Sequence, residues 1–137
     1  MTNQTGQCLC GSMKYEITGD PIMSAACHCT HCQKTTGTAY SLNIGVPSDQ
    51  FNITGDTLTT YVDKGESGEN LRRCFCNQCG SPLYTEADSM PGMTIVKAGT
   101  LNDTTSFKPS VNIYCDSKME WLKQDHKTVD FAKMPTE

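Results

Sequence analysis

Eight of the nine cysteines fall in three short clusters, and their spacing constrains the fold of this 137-residue chain more than any other feature. The clusters are Cys8-Leu9-Cys10-Gly11, Cys27-His28-Cys29-Thr30-His31-Cys32 and Cys74-Phe75-Cys76-Asn77-Gln78-Cys79-Gly80. In a reducing compartment, cysteines grouped in this way are typical of metal ligands or catalytic residues rather than disulfides. A metal ion shared between clusters would hold distant segments of the chain together.

The first predicted site combines two pairs of cysteines. Cys76 and Cys79 are separated by two residues, so both thiolates on a tight turn can reach one zinc ion at roughly 2.3 Å. Gly80 follows directly and suits the positive φ that such a turn often needs. Cys8 and Cys10 are two apart and would face the same side of an extended segment. We therefore predict a closed zinc site of four thiolates that joins the N-terminal segment to the middle of the chain.

The second cluster supplies three thiolates, from Cys27, Cys29 and Cys32, and no fourth cysteine is obviously assigned to it. Three protein ligands and one open position are the arrangement of a catalytic zinc rather than a structural one. His28 lies between two cysteines and should point away from them on a strand. His31 adjoins Cys32, and we expect both histidines to be hydrogen-bonded or surface residues rather than ligands.

Spacing alone leaves the role of Cys74 open. Cys74-x-Cys76-x-x-Cys79 repeats the pattern of the Cys27 cluster, so Cys74 could be a ligand and could even complete the second site. Cys115 stands alone and is expected to be a small buried strand residue, which is how free cysteines commonly pack.

The chain is long enough for a single domain, 1–137, but only 36% of its residues are hydrophobic. Bound metal is a common way to stabilise so small a core. Short alternating segments separated by Gly, Pro, Asn and Asp predict a mainly β fold. The predicted strands are Met13–Ile17, Ile22–Cys27, Thr38–Val46, Phe51–Thr54, Leu58–Val62, Pro82–Glu86, Met93–Lys97 and Val111–Cys115. Gly55-Asp56 predicts a hairpin between two of them. Helix is expected only near His31–Thr36 and, weakly, at Lys118–Lys123.

Charge and hydropathy restrict the class of partner. The net charge is −4, and the densest basic run is the pair Arg72-Arg73, so the basic stripe of a nucleic-acid-binding protein is missing. No apolar stretch approaches the roughly 18 residues of a transmembrane helix. The first residues, Met1 to Thr5, resemble no signal peptide. We expect a cytoplasmic protein without nucleic-acid or membrane partners; its oligomeric state is not predicted.

In its ordered set of motifs the chain resembles the glutathione-dependent formaldehyde-activating enzyme family, which also includes centromere protein V. The matching elements are Gly6-x-Cys8-x-Cys10-Gly11, Tyr15-Glu16, Cys27-His28-Cys29-x-x-Cys32-Gln33-Lys34, Gly37, Val46-Pro47, Phe51, Gly55, Tyr61, Arg73-x-Phe75-Cys76-x-x-Cys79-Gly80-Ser81-Pro82-Leu83-Tyr84, Gly99-Thr100-Leu101-Asn102-Asp103, Pro109, Ile113-Tyr114 and Trp121. They run nearly from end to end, and it is the ordered combination that makes the resemblance specific.

The resemblance implies a β-tent of small antiparallel sheets pinned by two zinc ions. It implies that Cys8, Cys10, Cys76 and Cys79 hold a structural zinc. Cys27, Cys29 and Cys32 would hold a catalytic one, with Cys74 outside both sites. We also expect the segment from Pro109 to Trp121 to be structural, with Trp121 packing as a core anchor.

The resemblance further implies a carbon–sulfur lyase that joins formaldehyde to glutathione, so the expected partners are a small thiol and an aldehyde. A zinc ion with three thiolates carries about −1 charge and readily accepts a fourth sulfur, which it would hold as the thiolate. Lys34, Arg72 and Arg73 are the cations near these motifs that could contact anionic glutathione, and His28, His31 and Asp103 are conceivable proton carriers. The alternative is a non-catalytic zinc module that mediates protein association.

Overall fold

The computed structural model describes residues 3–65, 67–123 and 128–135. Its strands are β1 (Gln4–Gln7), β2 (Lys14–Ile17), β3 (Met23–Cys27), β4 (Ser41–Pro47), β5 (Phe51–Thr54), β6 (Leu58–Lys64), β7 (Asn70–Cys76), β8 (Pro82–Ala87), β9 (Met93–Lys97), β10 (Val111–Ile113) and β11 (Val129–Asp130). The helix α1 spans Thr30–Thr36, and three short 3₁₀ helices span Ser48–Gln50, Ala98–Thr100 and Cys115–Ser117. The predicted mainly β fold with little helix is confirmed. None of the described helices is long and apolar enough to cross a membrane.

The strands form two sheets. The smaller has three strands in the order β1-β2-β5, all antiparallel, and the larger has eight in the order β11-β10-β3-β4-β9-β8-β7-β6. The larger sheet is antiparallel from β3 to β6, whereas β10 runs parallel to both β3 and β11. One isolated bridge among the described residues links Gly6 of the small sheet to Leu101, which follows β9 of the large sheet.

The main core lies between the two sheets. Alternation of exposed and buried residues along β2 directs Tyr15 and Ile17 inward, where they are almost completely buried. The Tyr15 hydroxyl lies 2.8 Å from Thr100 Oγ1, and the ring of Phe51 packs edge-on against that of Tyr84 at a centroid distance of 4.9 Å. These contacts attach the small sheet to one face of the large one.

Register gives the large sheet two distinct faces. Residues directly opposite in an antiparallel pair share a face, and neighbours along a strand alternate. Ile44, Val96, Tyr84 and Cys74 are successive cross-strand partners and share the face toward the main core. The opposite face contains the pairs Cys27–Ser41, Asn43–Lys97 and Arg73–Thr85.

The hairpin predicted at Gly55-Asp56 is wrong. β5 pairs with β2 and β6 pairs with β7, so this turn carries the chain from the small sheet to the large one. A Cβ on Gly55 would lie 2.2 Å from the backbone oxygen of Ser12, so glycine is needed here for close backbone approach. The turn residues are correctly placed, but tertiary pairing determines which strands they join.

Three predictions for the segment after β10 are also wrong. Lys118–Lys123 forms turns rather than a helix, and the side chain of Trp121 is 71% exposed. The main core is formed by residues of the two sheets and the segments beside them, and Trp121 is not among them. Cys115 is partly buried and begins a 3₁₀ helix because Tyr114, at φ 56, breaks the strand before it.

Candidate metal centres

The four-cysteine cluster brings together two similar turns. Gly11 and Gly80 each have φ of 81°, and their N–H groups donate to the carbonyl oxygens of Cys8 and Cys76 at 3.1 and 2.8 Å. The expected positive φ at Gly80 is confirmed. Because both turns are closed in this way, the cysteines of each turn point to a common centre.

The sulfur positions fit one tetrahedral zinc ion. The Sγ atoms of Cys8, Cys10, Cys76 and Cys79 all lie within 4.8 Å of one another. Cys8 and Cys10 are 3.6 Å apart and Cys10 and Cys76 are 3.8 Å apart. Four sulfurs placed tetrahedrally at roughly 2.3 Å from zinc would be separated by about 3.8 Å. This cluster could therefore hold a metal ion with little rearrangement.

Hydrogen-bond donors contact several of these sulfurs and favour the thiolate form of Cys76 and Cys79. The N–H groups of Met13 and Gln78 donate to Cys8 Sγ and Cys76 Sγ, each at 3.3 Å. Hydrogen bonds from Ser12 and Thr57 lower the pKa of Cys76 to about 5. Hydrogen bonds involving Ser81 lower the pKa of Cys79 to about 7. Such partners reduce the charge that each thiolate presents to the metal.

The three-cysteine cluster lies where β3 meets α1. Cys27 is the last residue of β3, Cys29 is the N-cap of α1 and Cys32 lies in its first turn. The Cys29 side chain accepts a hydrogen bond from the N–H of Cys32 at 3.3 Å, so the cap and the cluster are formed by the same residues. The three sulfurs lie within 4.8 Å of one another and the residues are 6–7% exposed.

This cluster favours a single negative charge, on Cys32, and opposes a second. Hydrogen bonds from Cys27 and Cys29 lower the pKa of Cys32 to about 2. The same contacts with Cys29 and Cys32 raise the pKa of Cys27. Cys27 and Cys29 thus favour the thiol form, and binding of a soft divalent ion would release their protons. Both clusters could thus hold metal ions, and their donor sets are consistent with zinc.

A cavity of about 360 Å³ opens against the three-cysteine cluster. It lies on the face of the large sheet opposite the main core. Its walls include His31, Arg73, Lys97 and the apolar side chains of Ile95 and Ile113. A small molecule in this cavity would contact the cluster sulfurs and two cationic side chains at once.

The two histidines have different surroundings. His28 is 1% exposed, and its Nε2 lies 3.0 Å from Asn112 Oδ1, so the expectation that it turns away from the cysteines is confirmed. His31 lines the cavity, and its Nδ1 lies 2.8 Å from Asp63 Oδ2. Asp63 also accepts from Arg73 Nε at 2.9 Å.

The structure separates Cys74 from both clusters. It belongs to the main-core face of the sheet, where its Sγ lies 3.5 Å from Thr60 Oγ1. Arg73, one residue earlier, therefore faces the cavity while Cys74 faces away from it. Neither group of close sulfurs among the described residues includes Cys74.

Of the other sequence candidates, only Arg73 lines the cavity; Lys34, Arg72 and Asp103 do not. Arg72 lies on the opposite side of β7 and donates to Asp88 at 2.9 Å. Asp103 is exposed and accepts a hydrogen bond from Thr105.

Lys97 and Asn43 also line the cavity, but neither belongs to a recognisable sequence motif. Only the register of β4 and β9 brings them to the face that contains Cys27.

Comparison with known proteins places these features in a family. The sequence profile described as "Glutathione-dependent formaldehyde-activating enzyme" matches residues 3–117. Two curated proteins whose names include that description are similar: one from Podospora anserina, 36% identical over 84 residues, and one from Talaromyces marneffei, 32% identical over 80. The matches cover 58% and 56% of this chain but only 38% and 41% of those proteins. A crystal structure of a Rhodobacter sphaeroides protein shares the fold, with a TM-score of 0.58 at 18% identity, covering 77% of this chain and 91% of that one.

Proposed function

The chain belongs to the glutathione-dependent formaldehyde-activating enzyme family, and from that premise we propose that it is a zinc-dependent carbon–sulfur lyase. The reaction would join a small thiol, with glutathione as the first candidate, to formaldehyde or a related small carbonyl, and would also run in reverse. Cys27, Cys29 and Cys32 would hold the catalytic zinc. Cys8, Cys10, Cys76 and Cys79 would hold a structural zinc.

The observation that carries this proposal is the cavity that ends on three buried thiols. A fully cysteine-ligated site contributes four sulfurs, as the first cluster does, whereas this cluster contributes three and faces open space. Zinc bound here would have a position free for an incoming thiol and would favour its thiolate at neutral pH. The donor set therefore fits the metal and the proposed chemistry.

The balance of the reaction is simple. The thiol sulfur adds to the carbonyl carbon, a carbon–sulfur bond forms, and the carbonyl becomes a hydroxyl by receiving the proton that the thiol lost. The reverse step breaks the same bond and expels the thiol. The cavity residues would hold both reactants together and restrict water, which raises their effective concentration.

The cavity also favours an enzymatic function over the alternative of a protein-interaction module. A volume of about 360 Å³ lies within the range of small-molecule sites, and the three cysteines at its end are 6–7% exposed. A folded partner protein could not reach sulfurs buried to that degree, whereas a thiol and formaldehyde could. Protein association remains the alternative, to be tested separately.

Exchange spectroscopy by NMR tests the proposal. The rate at which formaldehyde exchanges with its glutathione adduct would be measured with zinc-loaded protein, with Cys29→Ser and without protein. We expect acceleration by the native protein and none by the variant. A panel of cysteine, cysteamine and 3-mercaptopropionate would identify the preferred thiol. If the native protein accelerates exchange with none of these thiols, the lyase proposal is wrong.

A further inference from the structure

Lys97 places a positive charge against the three-cysteine cluster. It lies at the end of β9 directly opposite Asn43 on β4, and its Nζ donates to Asn43 Oδ1 at 2.8 Å. Within the described part of the chain, no carboxylate pairs with this ammonium group. A cation placed in a protein wall without an acidic partner needs another source of negative charge.

Hydrogen bonds continue from Lys97 toward the sulfurs. Asn43 Nδ2 donates to Ser41 Oγ at 2.9 Å, and both Ser41 and Asn43 are buried. Ser41 is the cross-strand partner of Cys27. Lys97, Asn43 and Ser41 thus form one polar chain that begins at a cation and ends beside Cys27.

We propose that Lys97, acting through Asn43 and Ser41, is a positioning residue of the three-cysteine site. Its charge balances the thiolates and favours the binding of a fourth, anionic sulfur. This inference rests on the proposed function, because it assumes that the cluster binds a metal and then a thiol. It assigns to Lys97 a role that no cysteine motif indicates.

Charge counting supports this role for Lys97 rather than for Arg73. Three thiolates and one divalent ion sum to −1, and an incoming thiolate makes the site −2. Arg73 is already paired with Asp63, at 2.9 Å, which partly offsets its charge. Lys97 has no such partner among the described residues and supplies the uncompensated positive charge. Burial lowers the pKa of Lys97, the thiolate of Cys32 opposes that effect, the nearby charge of Arg73 adds to it, and the thiolates of Cys27 and Cys29 oppose it.

The test compares three variants. Lys97→Met keeps the length of the side chain and removes the charge, and Lys97→Arg keeps the charge. Lys64→Met removes a charge from an exposed position on β6 and serves as the matched control. For each protein, zinc affinity would be measured by competition with a chromogenic chelator. Thiol binding would be followed by the sulfur-to-metal charge-transfer band of the Co²⁺-substituted protein titrated with glutathione and, separately, with cysteamine.

We expect Lys97→Met to weaken zinc binding at the three-cysteine site and thiol binding by about tenfold each, since outer-sphere partners of metal ligands typically contribute 10- to 100-fold. Lys97→Arg should recover most of both affinities, and Lys64→Met should match the native protein. Thermal unfolding should show that Lys97→Met remains folded, so that loss of structure does not explain the result. Cysteamine and glutathione should be affected alike if the charge acts on the sulfur.

Two different failures can be told apart. If the native protein binds no metal at Cys27, Cys29 and Cys32, or if its Co²⁺ band does not respond to a thiol, the proposed function itself fails. If the native protein binds both but Lys97→Met binds them equally well, the role of Lys97 is refuted. A loss seen for glutathione only would also refute it, because Lys97 would then recognise a carboxylate rather than the sulfur.

Discussion

Cys76 and Cys29 are both buried thiols, yet they should have different effects when replaced by serine. Cys76 is 0% exposed and its sulfur contacts Cys10 and Thr57, so it joins the turn after β7 to the N-terminal segment. Metal bound there would couple directly to folding. We predict that Cys76→Ser loses cooperative thermal unfolding, measured by circular dichroism, and that Cys29→Ser stays folded but loses one metal ion and all activity. Equal loss of structure in both variants would contradict the division into structural and catalytic sites.

The role of an individual residue could be predicted where its spacing from other residues along the sequence indicates that role. Clustering of the sulfurs follows from short-range spacing and from the family resemblance, and the structure groups the same seven cysteines. Lys97 and Asn43 could not be predicted, because their place beside Cys27 depends on the register of three strands. The exposure of Trp121 was missed for a related reason. A large apolar residue is expected to be buried, and only its tertiary surroundings show otherwise.

At the level of single strands, two neighbouring arginines of β7 pair with aspartates that differ in burial: Arg73 with Asp63 on β6, and Arg72 with Asp88 just after β8. Arg73 and Asp63 are 13% and 15% exposed, whereas Arg72 and Asp88 are 39% and 54% exposed. We predict that Asp63→Asn lowers the free energy of unfolding by about 1–3 kcal/mol, because it leaves a buried guanidinium without a counter-charge. Asp88→Asn should cost less than about 0.5 kcal/mol. Urea unfolding at pH 7 measures both, and similar costs would show that burial does not decide the value of these pairs.

The contact between the two sheets depends on a glycine in β1. A Cβ on Gly6 would lie 2.2 Å from Tyr15 Cζ and 2.6 Å from the backbone oxygen of Thr100. Gly6→Ala should therefore destabilise the protein by about 1–3 kcal/mol, since a packed backbone contact must open. Gly99→Ala is the matched control, because a Cβ there would meet nothing within 4 Å. Thermal and urea unfolding of the two variants test the prediction, and equal stability would mean that the sheets adjust without cost.

Strand existence was easier to predict than strand pairing. β2, β3, β4, β5, β6, β8, β9 and β10 all overlap segments predicted from alternation and flanking turns. β1, β7 and β11 were not predicted, because Gln4–Gln7 is polar, Asn70–Cys76 shows no clear apolar period and Val129–Asp130 is only two residues long. The turn at Gly55-Asp56 is present but connects strands in different sheets. Local turn chemistry specifies a change of direction, whereas side-chain packing and hydrogen bonding to β2 and β7 specify the partners.

For the molecule as a whole, the large sheet separates two environments. One face packs with the small sheet into the main core, and the other holds the three-cysteine cluster and its cavity. The four-cysteine cluster lies where the N-terminal segment meets the turn between β7 and β8, so metal bound there would hold the two sheets together. The proposed structural and catalytic sites would then respond differently to the loss of metal.

Metal removal should therefore proceed in two steps. We predict two zinc ions per chain, with the ion at Cys27, Cys29 and Cys32 released first, because its fourth position is exchangeable and a chelator can enter through the cavity. Loss of that ion should remove activity with little change in the far-ultraviolet circular dichroism spectrum. Loss of the second ion should unfold the protein, since four thiolates from two distant segments are then left to repel one another. Native mass spectrometry during titration with a chelator counts the ions, and parallel circular dichroism follows the fold. Release of both ions in one step, or unfolding on loss of the first, would show that the two clusters share one structural role.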